Sequence, residues 1–583
     1  MNNKNKKEFK LLEKQKITPR NQTLDRFLMP VNRNQNQNQN YNQNQNQNQN
    51  QNTQFLNLNQ NQNQNQNQNH NQNTQILNLN LNHNTQFLNQ NHNQNQNYNQ
   101  NTQILNLNLN HNHNHKHKHN KRKHQYQQIQ ISPKKSKNTT FINLPWNKKN
   151  KIEINNKKIP KWTFMKECWK EVKTPKDFML SILNFHPEYK EKWNLFGLHQ
   201  FFKRYQKKQE NEIFMKETFT KIVSLAQKKV IKEPIKLMKQ NQESSFTLTQ
   251  EQVACLMANA FLCTFKPRKW AHPNDPNALA SINFIDLYNE SQNTFLVAQK
   301  IKALIHYLLR VNEHKNYSNI VFTKKVLHQF PKWEDSDFPI LFVRISLDKN
   351  IEDFPKENHA HVDFANKFIG GGVLNHGIVQ EEILFITQPE LIISRLFIPE
   401  LLPNEALIIQ GTEKFSTYSG YGNTFKSILN FKDQTEIDKK TNIRKNTIIA
   451  IDALKFGYNQ SQFEKNQILR ELNKAFCGFN FQIEGVETIV TGHWGCGVFG
   501  GNKDLKAILQ LMAASQAQKK IIYCTFNDVH FSQRFQKVLD LIYQKNLKVG
   551  DLWKLLVLYH ESKFESKIQF FDFLLEINQI DMK

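Results

Sequence analysis

The chain has 583 residues, with 78 Lys and Arg against 50 Asp and Glu, a formal charge of +28. Such a length holds roughly two to four domains, and the charge favours contact with a polyanion. Its six cysteines are scattered without a Cys-x-x-Cys pair, which argues against a disulfide framework or a zinc site. No apolar signal stretch follows Met1–Lys7 and no run of roughly eighteen apolar residues occurs, so a nuclear or cytoplasmic protein without membrane contact is expected.

Residues 1–140 read as a disordered low-complexity tail. Near its start, Asn21-Gln22-Thr23-Leu24-Asp25-Arg26-Phe27-Leu28 places Leu24, Phe27 and Leu28 on one side of a short helical turn. The segment resembles the peptide that docks replication proteins on the sliding clamp, although Asn21 stands where Gln is usual and Leu28 where an aromatic is usual. Asn-Gln dipeptides then run from about Asn34 to Asn101, too poor in apolar residues to bury a core. A basic run, His115–His124, is followed by Lys134-Lys135-Ser136-Lys137. It suits a nuclear-import signal, a tether to nucleic acid or another polyanion, or a plain solvated linker.

Aromatic and aliphatic residues return at Phe141–Trp146. Residues 141–325 are expected to form a helical accessory domain, from the three- and four-residue apolar spacing in Phe178–Leu183, Phe214–Leu225 and Ile301–Leu309. Thr249 with Gln252 predicts a capped helix start. Residues 326–583 alternate strand and helix patterns. The strands are expected at Leu341–Ile345, Ala406–Ile409, Thr447–Ile451, Glu487–Thr491 and Lys520–Cys524. Nearly continuous β-branched runs suit a sheet covered on both faces, hence an α/β sandwich with its ligand loops beyond the carboxyl ends of the strands.

The chemistry-bearing residues cluster in that second half. Phe368-Ile369-Gly370-Gly371-Gly372 is followed at short range by Gln380-Glu381-Glu382. Glycines allow backbone N–H groups to approach a phosphate, and a carboxylate held beside them can move a proton at a sugar oxygen. A second cluster, Gly492-His493-Trp494-Gly495-Cys496-Gly497-Val498-Phe499-Gly500-Gly501, precedes a helix expected at Asp504–Gln510. Two such loops and a helix N-terminus could hold both charges of a diphosphate without a metal or other cofactor. The absence of a Gly-Lys-Ser/Thr ending argues against a nucleotide triphosphatase.

Five ordered stretches resemble the poly(ADP-ribose) glycohydrolases: Val362–Phe368, the glycine–glutamate pair, Gly411–Tyr421, Gly492–Gly501 and Thr525-Phe526. The resemblance implies a macrodomain-like three-layer α/β sandwich with a mixed sheet, the helical domain before it as a buttress. It implies hydrolysis of ribose–ribose bonds in poly(ADP-ribose), mainly from the free end, with the protein-linked unit left in place. Poly(ADP-ribosyl)ated proteins would be its partners, and the chain would act as a monomer. Glu382 would serve as general acid and then base, Glu381 would orient the ribose, and Asp363 would hold the geometry. Ile351 and Glu352 would read adenine. Asn366 and Gln380 would contact the ligand near the scissile ribose. Tyr421 and Phe526 would wall the adenosine and ribose by stacking. His493 stands where the family has Asn, which puts that side-chain contact in doubt but leaves the loop backbone intact. A rival reading is a non-catalytic poly(ADP-ribose) reader, which has no need of the carboxyl cluster. A second is a nucleic-acid binder using the basic tail, which leaves the folded half without a role.

Overall fold

The computed structural model describes residues 141–580 apart from 155, 269–278, 315 and 458–459. The Asn/Gln tract, the basic run and the Asn21–Leu28 peptide lie outside the described residues. The chain enters through a hairpin of β1 (Lys151–Ile154) and β2 (Lys157–Pro160), then a series of helices. Helix Pro175–Phe185 starts on Thr174, whose side chain accepts the Asp177 N–H while Asp177 reaches back, and it buries Phe178, Ile182 and Phe185. Thr249 and Gln252 cap helix Gln250–Phe261 in the same manner, as their spacing predicts. Asn293 caps the long helix Thr294–Val311, which buries Val297, Lys300, Ile301, Leu304 and Leu308 on one stripe.

An eight-stranded mixed sheet forms the centre. Its strands are β3 (Ser244–Thr249), β4 (Asn319–Val326), β5 (Val343–Ser346), β6 (His359–Ala365), β7 (Glu405–Gln410), β10 (Thr447–Asp452), β11 (Thr488–Thr491) and β12 (Lys520–Cys524). In space they run β3-β4-β7-β10-β6-β11-β12-β5. Strands β10, β6, β11, β12 and β5 are mutually parallel, while β7 opposes β10, β4 opposes β7 and β3 opposes β4. A separate short hairpin pairs β8 (Thr417–Ser419) with β9 (Lys426–Ile428).

The sheet is thus wider than expected. Strands β3 and β4 come from the stretch read as helical, because short alternating edge strands such as Ser-Ser-Phe-Thr-Leu-Thr carry little apolar signal. Ala406, Ile408, Ile449 and Ile451 pack on one face with Leu472, Phe476, Ile508 and Met512 of helices Lys465–Phe479 and Lys503–Gln516. The alternate residues Leu407, Ile409, Ile448 and Ala450 are as deeply buried on the other face. No described helix is long and apolar enough to cross a membrane.

One register detail opens the site. Strand β6 follows β10 as far as Ala365, paired with Asp452, but follows β11 only as far as His361, paired with Val490. Beyond His361 the two parallel strands part at their carboxyl ends, where ligand loops of such sheets lie.

Candidate active site

Where β6 and β11 part, Gln380 takes the place of a strand partner. Its Oε1 accepts the Phe364 N–H at 2.8 Å and its Nε2 donates to Val362 O at 3.1 Å. The side chain therefore seals the open strand edge and docks helix Gln380–Thr387 against β6. The expected role as a ligand contact is corrected to this extent: one face of Gln380 lines the cleft, but its carboxamide is already engaged.

The first turn of that helix presents Glu381 and Glu382 to the glycine loop. Glu381 accepts N–H groups from Gly370 at 2.6 Å and Asn366 at 2.9 Å. Glu382 accepts N–H groups from Gly372 at 2.8 Å and Val379 at 2.9 Å. The remaining amide of the triplet, Gly371 N–H, donates to Phe368 O at 3.0 Å. All three N–H groups are taken, those of Gly370 and Gly372 by the acids and that of Gly371 by Phe368 O, which corrects the expectation that they bind a phosphate. Glycine is required here for another reason. A Cβ on Gly371, whose φ is +42°, would lie 2.6 Å from Glu382 Oε1 and 2.7 Å from Glu381 Oε2.

The third carboxyl, Asp363, lies fully buried on β6, and neither of its oxygens has a hydrogen-bond partner among the described residues. Burial, reinforced by Glu382, pushes its carboxyl well above the usual carboxylate range. Glu381 is pushed up as well, by burial and then by Asp363 and Glu382, against the pull of the Asn366 and Gly370 N–H groups. Asp363 and Glu381, crowded out of water, retain protons that exposed carboxyls would lose.

Beside this cluster opens a cleft of about 510 Å³. Its walls include Ile351, Glu352, Gln380, Glu381, Tyr421, His493, Trp494, Gly495, Gly497, Val498, Phe499 and Phe526. Of the expected site residues, Asp363, Asn366, the three loop glycines, Glu382 and Cys496 do not form its wall. Along the second glycine loop, Trp494, Cys496, Gly500 and Gly501 donate to neighbouring loop carbonyls. The N–H groups of Gly495, Gly497, Val498 and Phe499 find no acceptor among the described residues. Four amides on the cleft wall make a cradle for an anion. The helix that follows does not line the cleft, and Asn502 Oδ1 caps its Leu505 N–H at 2.9 Å. Gly495 needs its φ of +74°, and a Cβ there would meet Ala453 Cβ at 2.5 Å.

Two family models match the chain: "Poly (ADP-ribose) glycohydrolase (PARG), helical domain" over residues 206–324 and "Poly (ADP-ribose) glycohydrolase (PARG), Macro domain fold" over residues 330–533. Probable poly(ADP-ribose) glycohydrolase 2 of Arabidopsis thaliana is 31% identical over 400 residues, covering 59% of this chain and 75% of that protein. Poly(ADP-ribose) glycohydrolase 1 of the same plant is 30% identical over 423 residues, with the same coverage. Poly(ADP-ribose) glycohydrolase 1 of Caenorhabditis elegans is 32% identical over 361 residues, 58% of this chain and 44% of that protein. The chain belongs to the poly(ADP-ribose) glycohydrolase family.

For a glycohydrolase site the remaining walls are informative. The Glu352 carboxylate accepts the Tyr418 hydroxyl, so the residue expected to read adenine is already oriented by a tyrosine. Tyr421 stands 56% exposed at the rim, and Phe526 sits in the left-handed region at φ +53°. Burial brings the His493 imidazole down to about 4, so it faces the cleft neutral. The Cys496 thiol is pushed up to about 12 by burial and is inert. Asn366 turns its Oδ1 to the Phe368 N–H at 2.9 Å, so it shapes the loop instead of facing the cleft.

Several side chains around the site escaped the sequence reading. Lys356 brings a cation to the cleft wall, 2.8 Å from His361 Nδ1. Lys300 and Arg395 lie buried behind the glycine loop. A signal for Lys300 was present: a lysine on the apolar stripe of an amphipathic helix needs buried acceptors.

Proposed function

We propose that this chain hydrolyses the ribose–ribose O-glycosidic bonds of poly(ADP-ribose) and releases ADP-ribose, with Glu382 as general acid and then base. The observation that carries the reading is the held pair of glutamates, buried with Asp363 beside a cleft whose wall carries four N–H groups without acceptors among the described residues. A diphosphate on those amides brings the adjoining ribose toward the carboxyl cluster. Glu382 gives its proton to the leaving 2′ oxygen as the C1″–O2′ bond breaks. The diphosphate stabilises the oxocarbenium character at C1″. Water then adds at C1″, and its proton returns to Glu382. Glu381 and Asp363 hold the geometry.

A reader module would use the same amide cradle, yet it gains nothing from three carboxyls buried together, whose desolvation costs stability. Incubating the purified chain with labelled polymer, and resolving products by size, separates the two: release of free ADP-ribose supports hydrolysis, and polymer left intact supports the reader. The proposal extends to poly(ADP-ribosyl)ated proteins as partners, a monomeric chain and a nuclear or cytoplasmic location. It also includes a sliding-clamp contact through Asn21–Leu28. Light scattering, imaging and titration of the peptide against the clamp test these in turn.

A further inference from the structure

Two of the peptide units that hold the glutamates have a second face that meets a buried cation, Arg395, and a second buried cation, Lys300, binds the loop carbonyls that follow directly. Arg395 Nη1 donates to Ile369 O at 3.1 Å and to Gly371 O at 3.0 Å. The N–H groups on the far side of those same peptides are those of Gly370 and Gly372, which donate to Glu381 and Glu382. Each carboxylate is therefore one peptide unit from the same guanidinium. Lys300, on helix Thr294–Val311, donates to Val373 O at 3.1 Å, Asn375 O at 2.7 Å and also Gly377 O, with Gly372 O at 3.4 Å. It is fully buried, and Arg395 is 7% exposed with its Nε anchored on Ser281 O.

A cation on the oxygen of a peptide polarises it and strengthens the bond made by its N–H. Charge is also matched: Lys300 is attracted by Glu382 and Glu290, and Arg395 by Glu381, Asp286 and Glu382. Helix Thr294–Val311 does more than support the loop: Gln299, next to Lys300, accepts the Ser427 N–H at 3.1 Å and the Ser427 hydroxyl at 2.8 Å. Ser427 lies on the hairpin that carries Tyr418 and leads through Tyr421. Two consecutive residues of one helix thus hold the catalytic loop and the tyrosine hairpin.

We propose that Lys300 and Arg395 are positioning residues for hydrolysis, a two-cation clamp that fixes Glu381 and Glu382 through the backbone of the glycine loop. The inference rests on the glycohydrolase reading above. It makes the helical half of the chain a working part of the site.

The test compares the full chain with Lys300→Met, Arg395→Met and Arg395→Lys, measuring polymer kcat, KM, ADP-ribose affinity and Tm. Lys300→Met and Arg395→Met are expected to lose about 100-fold in kcat through misplaced carboxyls, with ADP-ribose affinity nearly unchanged. Arg395→Lys, which keeps the charge and reaches one carbonyl, recovers part of the loss. The pH profile supplies a readout that simple destabilisation does not move. Burial brings Lys300 down to about 7, against the attraction of Glu382 and Glu290 and with the repulsion of Arg395. Wild-type kcat therefore falls as pH rises through that region and the amine loses its proton, and the Lys300→Met profile lacks this step. Unchanged kcat in the Met variants of a working enzyme overturns the clamp alone. So does a parallel loss of kcat, ADP-ribose affinity and Tm. Should one Met variant not fold, the other Met variant and Arg395→Lys still decide. A wild-type chain that releases no ADP-ribose overturns the function reading, and the clamp with it.

Discussion

The loop at Gly370–Gly372 directs its three amide N–H groups into the protein, two onto Glu381 and Glu382 and one onto Phe368 O. The loop at Gly495–Phe499 leaves the N–H groups of Gly495, Gly497, Val498 and Phe499 without acceptors among the described residues. Both loops follow the carboxyl ends of neighbouring parallel strands, β6 and β11, and both rely on glycines with positive φ. The difference lies in what comes next in the chain. After the first loop, helix Gln380–Thr387 returns two carboxylates into the nest of amides. After the second, Asn502 caps the next helix and sends nothing back. The first loop thus holds the chain's own carboxylates, and on the proposed reading the second holds a ligand's diphosphate.

Four substitutions sharpen or break that contrast. The largest effect is expected from Glu382→Gln. Polymer hydrolysis should fall about 10³- to 10⁴-fold while ADP-ribose binding, measured by calorimetry, stays near wild type. Gly371→Ala follows: its Cβ has no room between the two carboxylates, so kcat should drop about 100-fold with little change in ADP-ribose affinity. Gly495→Ala should do the reverse, weakening ADP-ribose binding about tenfold while saturated turnover changes far less, because it disturbs the open cradle and leaves the acids in place. A loss of affinity in Gly371→Ala equal to that in Gly495→Ala would erase the division of labour.

The smallest effect concerns stability. Asp363 and Glu381 have raised carboxyl pKa values in the folded chain, so above the ordinary carboxylate range the unfolded state binds fewer protons than the folded one. Their contribution to stability therefore declines as pH rises from the unfolded value toward the folded one. Asp363→Asn removes one such group. Its Tm should rise by about 1–3 °C at pH 8 and by less at pH 5, read by thermal denaturation.

Much of this was legible in the chain before any coordinates. Continuous β-branched runs marked β7, β10, β11 and β12, because strands covered on both faces need apolar residues at every position. The Thr249–Gln252 cap and the paired glutamates were equally plain. Strands β3, β4 and β6 were not, since β3 and β4 pair at one end of the sheet with mixed polarity and β6 carries His361 and Asp363 among its apolar residues. The role of the first glycine loop was misread for a physical reason. Spacing shows that glycines and carboxylates are near each other, but the direction of an amide depends on φ and ψ, which residue identity does not report. Lys300 and Arg395 were hidden by sequence distance, as their partners lie 72 to 77 and 24 to 26 residues away.

The central claim concerns where the two anions sit, and a crystal of the chain soaked with ADP-ribose tests it directly. The account predicts diphosphate oxygens within hydrogen-bond distance of the Gly495–Phe499 amides. Gly370 and Gly372 should remain bonded to Glu381 and Glu382, and the Glu382 carboxyl should face the ribose. A diphosphate seated on Gly370–Gly372, with the glutamates displaced toward solvent, would contradict it.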